Sequence, residues 1–147
     1  MEPFIITGII WIAMIAHAFW ESSAEGPNAW GSRMYGWKWV FTKNISITRY
    51  HFWLFVIYMP ILIVVLPLVV AGFSKELFGV LAAAYFSGMV IEDFLWFIVN
   101  TEVKFKEAWN PKFANYYPWI VIGKFRIPLS YILGFGIAVL LWVFLVI

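Results

Sequence analysis

Two adjacent carboxylates, Glu92 and Asp93, stand inside an apolar stretch that runs from residue 77 to residue 100. The stretch is long enough to cross a bilayer as a helix. A charged side chain at the centre of a membrane helix costs roughly 2.5–3.5 kcal/mol on insertion scales, so such residues commonly mark functional sites. Asp93 is also the only aspartate in the chain. This pair is therefore the strongest indication of a functional site.

Other polar side chains are expected at the same depth. His17, Glu21 and Glu25 are spaced by four residues, so they share one helix face if the first apolar segment stays helical beyond residue 20. His51 opens the second apolar segment, and Glu92 lies roughly 12 Å below the end of its helix at 1.5 Å per residue. We expect all of these groups to lie in the cytoplasmic third of the membrane.

The two carboxylates of the pair point about 100° apart on a helix, so they meet different neighbours. Glu92 continues a row of small residues, Ala84 and Gly88, and such rows mark close helix contacts in membranes. We expect Glu92 to face the centre of the bundle and Asp93 to face an adjacent helix or a cap.

Histidine and carboxylate groups support acid–base chemistry or metal binding. Burial favours the neutral carboxylic acid, which can then donate a proton; the candidate catalytic residues are Glu92, Asp93, Glu21 and His51. Zinc, iron and manganese accept such ligands, and the candidate ligands of a divalent metal are His17, Glu21, His51 and Glu92. The paired Glu-x-x-His spacing of dinuclear carboxylate proteins is absent. The candidates for holding a substrate or cofactor are Trp96, Tyr85, Arg49, Trp30 and Asn100.

The sequence leaves a structural alternative open for each group. Glu92 is then half of an ion pair with Arg49, and Asp93 binds a lysine or tryptophan of a cap. His17 donates to a backbone carbonyl of a neighbouring helix. Glu21 and Glu25 become solvated loop charges, and His51 and Arg49 become anchors at the membrane interface.

The composition predicts an integral, multi-pass membrane protein. Of 147 residues, 64% are hydrophobic and 12% are charged, whereas soluble domains have about 45–50% and about 25%. We predict an all-α single domain, a bundle of four transmembrane helices over residues 3–20, 52–73, 77–100 and 127–147. Two aromatic-rich segments, 21–51 and 101–126, are expected to form cytoplasmic caps. The chain has no cysteine, which excludes disulfides and thiolate chemistry.

The positive charges predict the orientation. Nine of the ten Lys and Arg residues lie in the two cap segments, and only Lys75 lies on the other side. The positive-inside rule makes the caps cytoplasmic and both termini extracytoplasmic. The first apolar segment lacks a basic leader and a small-residue cleavage site, so we expect a retained span.

The stretch Val90–Phe97, with the sequence VIEDFLWF, resembles the acidic-aromatic motif of carotenoid lycopene cyclase domains. Those are small multi-helix membrane proteins that protonate an isoprenoid. The resemblance covers eight residues, and Val90 and Ile91 stand where a proline usually precedes the acidic pair. By analogy it implies that a carboxyl group of this pair protonates an apolar substrate.

These patterns favour a membrane-embedded enzyme that acts on a lipid, isoprenoid or quinone-like substrate from the cytoplasmic leaflet. A non-catalytic lipid-binding subunit or scaffold is the first alternative. A proton-coupled carrier is less favoured, because no polar path to the outer face is evident in the sequence. The expected partners are membrane lipids and a hydrophobic small molecule, with no nucleic acid. A homo-oligomer and a partner subunit both stay open.

Overall fold

The chain is mostly helical. A computed structural model describes residues 2–28, 36–42 and 45–147. The helices are α1 (Pro3–Glu25), α2 (Arg49–Ala71), α3 (Lys75–Val99), α4 (Phe105–Ala108) and α5 (Leu129–Leu145). The strands are β1 (Lys38–Thr42), β2 (Ile45–Thr48), β3 (Trp119–Ile122) and β4 (Phe125–Pro128).

Three helices are long and apolar enough to cross a membrane. α1 and α2 have 23 residues each, and α3 has 25. Of the four predicted spans, those over 3–20, 52–73 and 77–100 correspond to these three helices. The fourth apolar helix, α5, has 17 residues and is shorter than the predicted range of 127–147, because β4 extends to Pro128.

α1 continues to Glu25 rather than ending near residue 20. It ends at Gly26, whose φ of +58° is accessible to glycine at little steric cost. The N–H of Gly26 donates to the carbonyl of Ser22, and Pro27 follows, which is a common helix ending. Glu21 and Glu25 therefore lie on a helix, and their interpretation as loop charges is wrong.

α3 is the central helix, with α1 packed on one side and α5 on another. Small residues make these contacts close. A Cβ atom on Gly88 would lie 2.9 Å from Cγ of Met14 in α1, and one on Gly79 would lie 2.5 Å from Cβ of Leu145 in α5. The row of small residues in α3 therefore sets the distances between helices, as small residues do in membrane bundles.

α2 is π-helical over Phe52–Tyr58 and Ile61–Val65, around the prolines at positions 60 and 67. Proline lacks a backbone donor and clashes with the carbonyl four residues before it. The N–H of Met59 donates to Leu54 in this register. The carbonyl of Phe55 has no backbone donor, because the N–H of Met59 is already used and Pro60 has no N–H. The hydroxyl of Tyr85 donates to this carbonyl instead. Tyr85 thus joins α3 to α2.

Both cap segments contain antiparallel hairpins, β1–β2 and β3–β4. The all-α prediction is wrong for these segments. The second hairpin turns at Gly123 and Lys124, and Gly123 has a φ of +60°, as two-residue hairpin loops often require. Aromatic and β-branched residues on both sides of this turn favour strands.

The second cap segment, 101–126, folds onto the end of α3. Buried Trp96 and Phe97 of α3 pack against Ala108 and Ala114 of the segment, with further aromatic side chains around them. Asn100 fixes the junction, because its amide donates to the carbonyl of Gly26 at 2.7 Å. Its side-chain oxygen accepts from two backbone N–H groups of the segment. The segment therefore covers one end of the helix bundle.

Candidate functional site

Five polar side chains from three helices meet beneath the second cap segment. We call them the polar cluster, and its members are His17, Glu21 and Glu25 of α1, His51 of α2 and Glu92 of α3. Glu21, His51 and Glu92 are only 2–4% exposed. The sequence predicted that these groups lie at the same level, and in the structure their side chains do come together.

The cluster is joined by pairs of histidine nitrogens and carboxylate oxygens. His17 Nδ1 lies 3.4 Å from Glu92 Oε1 and 4.0 Å from Glu21 Oε2. His51 Nε2 lies 3.6 Å from Glu21 Oε1 and 3.5 Å from Glu25 Oε1. Good N–H···O hydrogen bonds span roughly 2.7–3.2 Å. The contact between His17 and Glu92 is therefore a long hydrogen bond, and the other three pairs are spaced more widely.

Local helix structure orients the cluster residues of α1 and α2. The four-residue spacing puts His17, Glu21 and Glu25 on one face of α1. Thr48 caps α2, and its hydroxyl oxygen accepts from the backbone N–H of His51 at 3.3 Å. The same oxygen lies 2.6 Å from His51 Nδ1. The ring is thereby held with Nε2 directed to the carboxylates.

The carboxylates of the cluster have no cationic partner among the described residues, where no Lys or Arg nitrogen lies within 4.0 Å of them. Arg49, the proposed partner of Glu92, is exposed. The ion-pair interpretation of Glu92 with Arg49 is therefore wrong. Buried carboxylates without a compensating charge are costly, so bound protons or a bound cation would stabilise this cluster.

A small polar cavity lies within the cluster. It has a volume of about 20 Å³ and is lined by Glu21, Glu25, His51, Glu92 and Trp96, among others. A single water needs roughly 10–15 Å³ on this measure, so the cavity has room for one water or ion. The indole N–H of Trp96 is buried and has no hydrogen-bond acceptor within the described ranges.

Asp93 faces a cap and an adjacent helix. Its two carboxylate oxygens accept hydrogen bonds from Tyr117 of the second cap segment and from Tyr131 of α5. Burial first, and the neighbouring carboxylate second, raise the pKa of Tyr117 well above its ordinary value. Tyr117 therefore stays a donor at neutral pH, and Asp93 is held by tyrosines rather than by a lysine or tryptophan.

A larger apolar cavity of about 410 Å³ adjoins the cluster between α2, α3 and α5. Its walls include Val56, Met89, Leu133 and Ile137. Four residues line both cavities, and they are His51, Phe55, Glu92 and Asp93. These four residues, three of which are titratable, therefore form the boundary between a polar cavity and an apolar one.

Three residues expected to hold a substrate or cofactor line neither cavity. Arg49 borders a separate open groove with Tyr50. Tyr85 and Asn100 use their polar atoms to join backbone segments, as described above. Trp30 lies outside the described residues. Among the members of that set that the structure describes, only Trp96 lines the polar cavity.

Sequence reasoning left several site residues out. Glu25 carried the four-residue spacing but was not chosen as a ligand. Thr48 carried a detectable signal, since a threonine three residues before His51 is a typical helix cap. No sequence signal pointed to Tyr117 and Tyr131, because they lie 24 and 38 residues from Asp93 in the chain.

Comparison of this chain with protein-family models, with curated proteins and with solved structures gives no match. The resemblance of the VIEDFLWF stretch to lycopene cyclase domains stays a prediction. The chemistry of the site is therefore argued from its own geometry.

Proposed function

We propose that this protein is a membrane-embedded enzyme that acts on a lipid-like substrate, such as an isoprenoid or a quinone. The observation that carries the proposal is the shared boundary of His51, Phe55, Glu92 and Asp93 between the two cavities. A long apolar molecule in the larger cavity would place one end against these groups. Its polar or unsaturated end would then meet the polar cluster.

The apolar cavity has a suitable size and lining. Ligand pockets commonly have volumes of roughly 300–1,000 Å³ and mostly apolar walls with a few polar groups, and this cavity has about 410 Å³. Leu133 and Ile137 are 55% and 39% exposed on the outside of α5. In a bilayer these faces would contact lipid, so a hydrophobic substrate could enter sideways.

The chemistry we assign is acid–base or metal-assisted. Glu92 is the leading proton-transfer group, because it borders both cavities and lies 3.4 Å from His17 Nδ1, with which it can exchange a proton. Asp93 receives two hydrogen bonds and so stays fixed beside the substrate path. This division of roles suits an enzyme better than a passive lipid-binding scaffold, which needs no facing histidines and carboxylates.

We further propose that the caps lie on the cytoplasmic side, as the distribution of positive charge favours. The polar cluster, which lies beneath the second cap segment, would then face substrates of the cytoplasmic leaflet. Membrane lipids surround the helices in this arrangement.

Two variants on α5 test the substrate cavity. Leu133→Trp places an indole in the apolar cavity, whereas Val139→Trp adds one at a similarly exposed position that lines a different cavity. Each protein is purified in lipid nanodiscs and its bound lipids are extracted and identified by mass spectrometry. We expect a lipid that is enriched with the wild type and with Val139→Trp but lost with Leu133→Trp.

The second step measures turnover. The purified wild type is incubated with the polar and neutral lipid extract of its expression host, and consumed and formed species are followed by mass spectrometry. We expect consumption by the wild type and consumption at least about 10²-fold slower by Glu92→Gln. A retained lipid that is never converted, with or without added divalent metal, would indicate a lipid-binding subunit instead.

A further inference from the structure

We propose that the polar cluster binds two divalent first-row transition-metal ions, bridged by the carboxylate of Glu21. The ions would supply the metal-assisted chemistry of the proposed function, so their role rests on that proposal. Binding of the ions does not depend on the proposed function, and it is measured separately.

The ligand atoms form two groups that share one residue. One group is His17, Glu21 and Glu92, and the other is Glu21, Glu25 and His51; within each group the ligand atoms lie within 4.8 Å of one another. Glu21 presents a different oxygen to each group, Oε2 to His17 and Oε1 to His51. A carboxylate with one oxygen in each of two metal sites is a bridging ligand.

The spacing fits ligands around a cation. Metal–ligand bonds to nitrogen and oxygen of roughly 2.0–2.2 Å put tetrahedral ligand atoms about 3.4 Å apart. The observed nitrogen–oxygen distances in the cluster are 3.4–4.0 Å. They are long for hydrogen bonds and need only small movements to close on an ion.

Independent features of the surroundings also favour a bound ion. Oε1 of Glu21 and Oε1 of Glu25 are buried and accept no hydrogen bond within the described part of the chain. A cavity of about 20 Å³, with room for one ion, lies against Glu21, Glu25 and His51. The second ion would lie between His17, Glu21 and Glu92, after those side chains move slightly. A metal at His51 Nε2 requires the proton on Nδ1, and the Thr48 oxygen 2.6 Å away can accept it.

Charge and ligand type indicate the class of ion. Two divalent cations compensate three carboxylates and leave one positive charge, which suits a bridging hydroxide or a substrate oxyanion. Calcium and magnesium prefer oxygen-only sites, whereas imidazole with carboxylate suits manganese, iron and zinc. The site therefore belongs with the transition metals.

Metal content tests the inference directly. The protein is purified in detergent with chelator, loaded separately with Mn²⁺, Fe²⁺ (under anaerobic conditions) and Zn²⁺, desalted, and analysed by inductively coupled plasma mass spectrometry. We expect about two ions per chain with at least one metal. His17→Asn and His51→Asn should each retain about one ion, and Glu21→Gln should retain fewer than either.

Asp93→Asn is the matched control. Its carboxylate lies next to Glu92 in sequence but is held by two tyrosines, so this variant should still bind two ions. A wild type that binds no ion with any of the three metals would overturn the inference, and the cluster would then hold protons. A single ion, or two ions in Glu21→Gln, would overturn the bridged arrangement.

Electron paramagnetic resonance of the Mn²⁺-loaded wild type covers the case in which Glu21→Gln does not fold. Two bridged ions should show exchange coupling in place of the hyperfine pattern of isolated Mn²⁺. An uncoupled spectrum would overturn the bridge. Coupled ions in a protein that converts no lipid would support the metal site and reject the proposed enzyme. Failure of the metal site and failure of the proposed function are therefore distinguishable.

Discussion

At the residue scale, sequence neighbours have separate surroundings. Glu92 meets His17 in the polar cluster, while Asp93 accepts hydrogen bonds from Tyr117 and Tyr131. The 100° step along a helix is the physical reason. One carboxylate is thereby available for proton transfer or metal binding, and the other is held in place.

The first prediction concerns Glu92→Gln. The amide keeps the size of the side chain, and no Lys or Arg within 4.0 Å is left unpaired among the described residues, so thermal unfolding in detergent should change little. Loss of a positioned acid or base should lower turnover by about 10²–10⁴-fold. Glu76→Gln, at an exposed position in the first turn of the same helix, is the control and should keep full activity. A large loss of stability, about 3–5 kcal/mol, would instead identify Glu92 as part of a structural ion pair.

The second prediction concerns Tyr117→Phe. This change removes one hydrogen bond to a carboxylate, which contributes about 1.5–3 kcal/mol, and it should loosen the second cap segment from α3. Unfolding would occur at lower denaturant, and hydrogen exchange over residues 101–126 would be faster. Tyr58→Phe, at a side chain that is 56% exposed, should have almost no effect. Equal stabilities of the two variants would contradict this role of Tyr117.

At the element scale, glycines and prolines decide how the helices meet. Gly79 and Gly88 let α5 and α1 approach α3 closely. The prolines of α2 shift its hydrogen bonding to a π register, which leaves the Phe55 carbonyl for Tyr85. Phe55 also lines both cavities. The irregular stretch of α2 thus lies beside the site, where π-helical turns are frequent in proteins.

The third prediction compares two glycines. Gly79→Ala would bring its Cβ to 2.5 Å from Leu145 Cβ and 3.4 Å from the Leu145 backbone, so the helices must separate. Overpacking of this kind costs about 1–3 kcal/mol. Gly136→Ala, on α5, has no neighbouring atom within 4 Å and should be neutral or slightly stabilising. Melting curves in detergent measure the difference, and an unchanged Gly79→Ala protein would contradict the close contact.

At the scale of the whole molecule, α3 connects the two proposed sides of the membrane. Its 25 residues span roughly 38 Å at 1.5 Å per residue. Lys75 begins this helix, whereas its other end contacts the basic second cap segment. The two ends of α3 therefore suit a direct test of orientation.

The fourth prediction uses the absence of cysteine. Ser74→Cys and Thr101→Cys flank the two ends of α3, and both positions are exposed. An impermeant thiol reagent added to intact cells should label position 74 and spare position 101, because the caps are proposed to be cytoplasmic. Permeabilised cells provide the control, in which both positions should react. The reverse pattern would invert the proposed topology.

The sequence by itself determined three long apolar helices and the common level of the polar groups along them. Both follow from local properties, namely long uninterrupted apolar runs and the fixed rise and period of a helix. It also indicated the face of Glu92, because the small residues above it require a close neighbour. The hairpins of the caps were missed, since their aromatic residues suit both a membrane interface and a strand.

Only the tertiary structure decided which atoms meet. The separate oxygens that Glu21 directs to His17 and His51 depend on the relative placement of three helices. The tyrosine partners of Asp93 depend on contacts between segments far apart in the chain. Helix crossing and cap packing are set by the sum of many side-chain contacts, so no local pattern encodes them. The two adjoining cavities, on which the proposed chemistry depends, are a product of that packing.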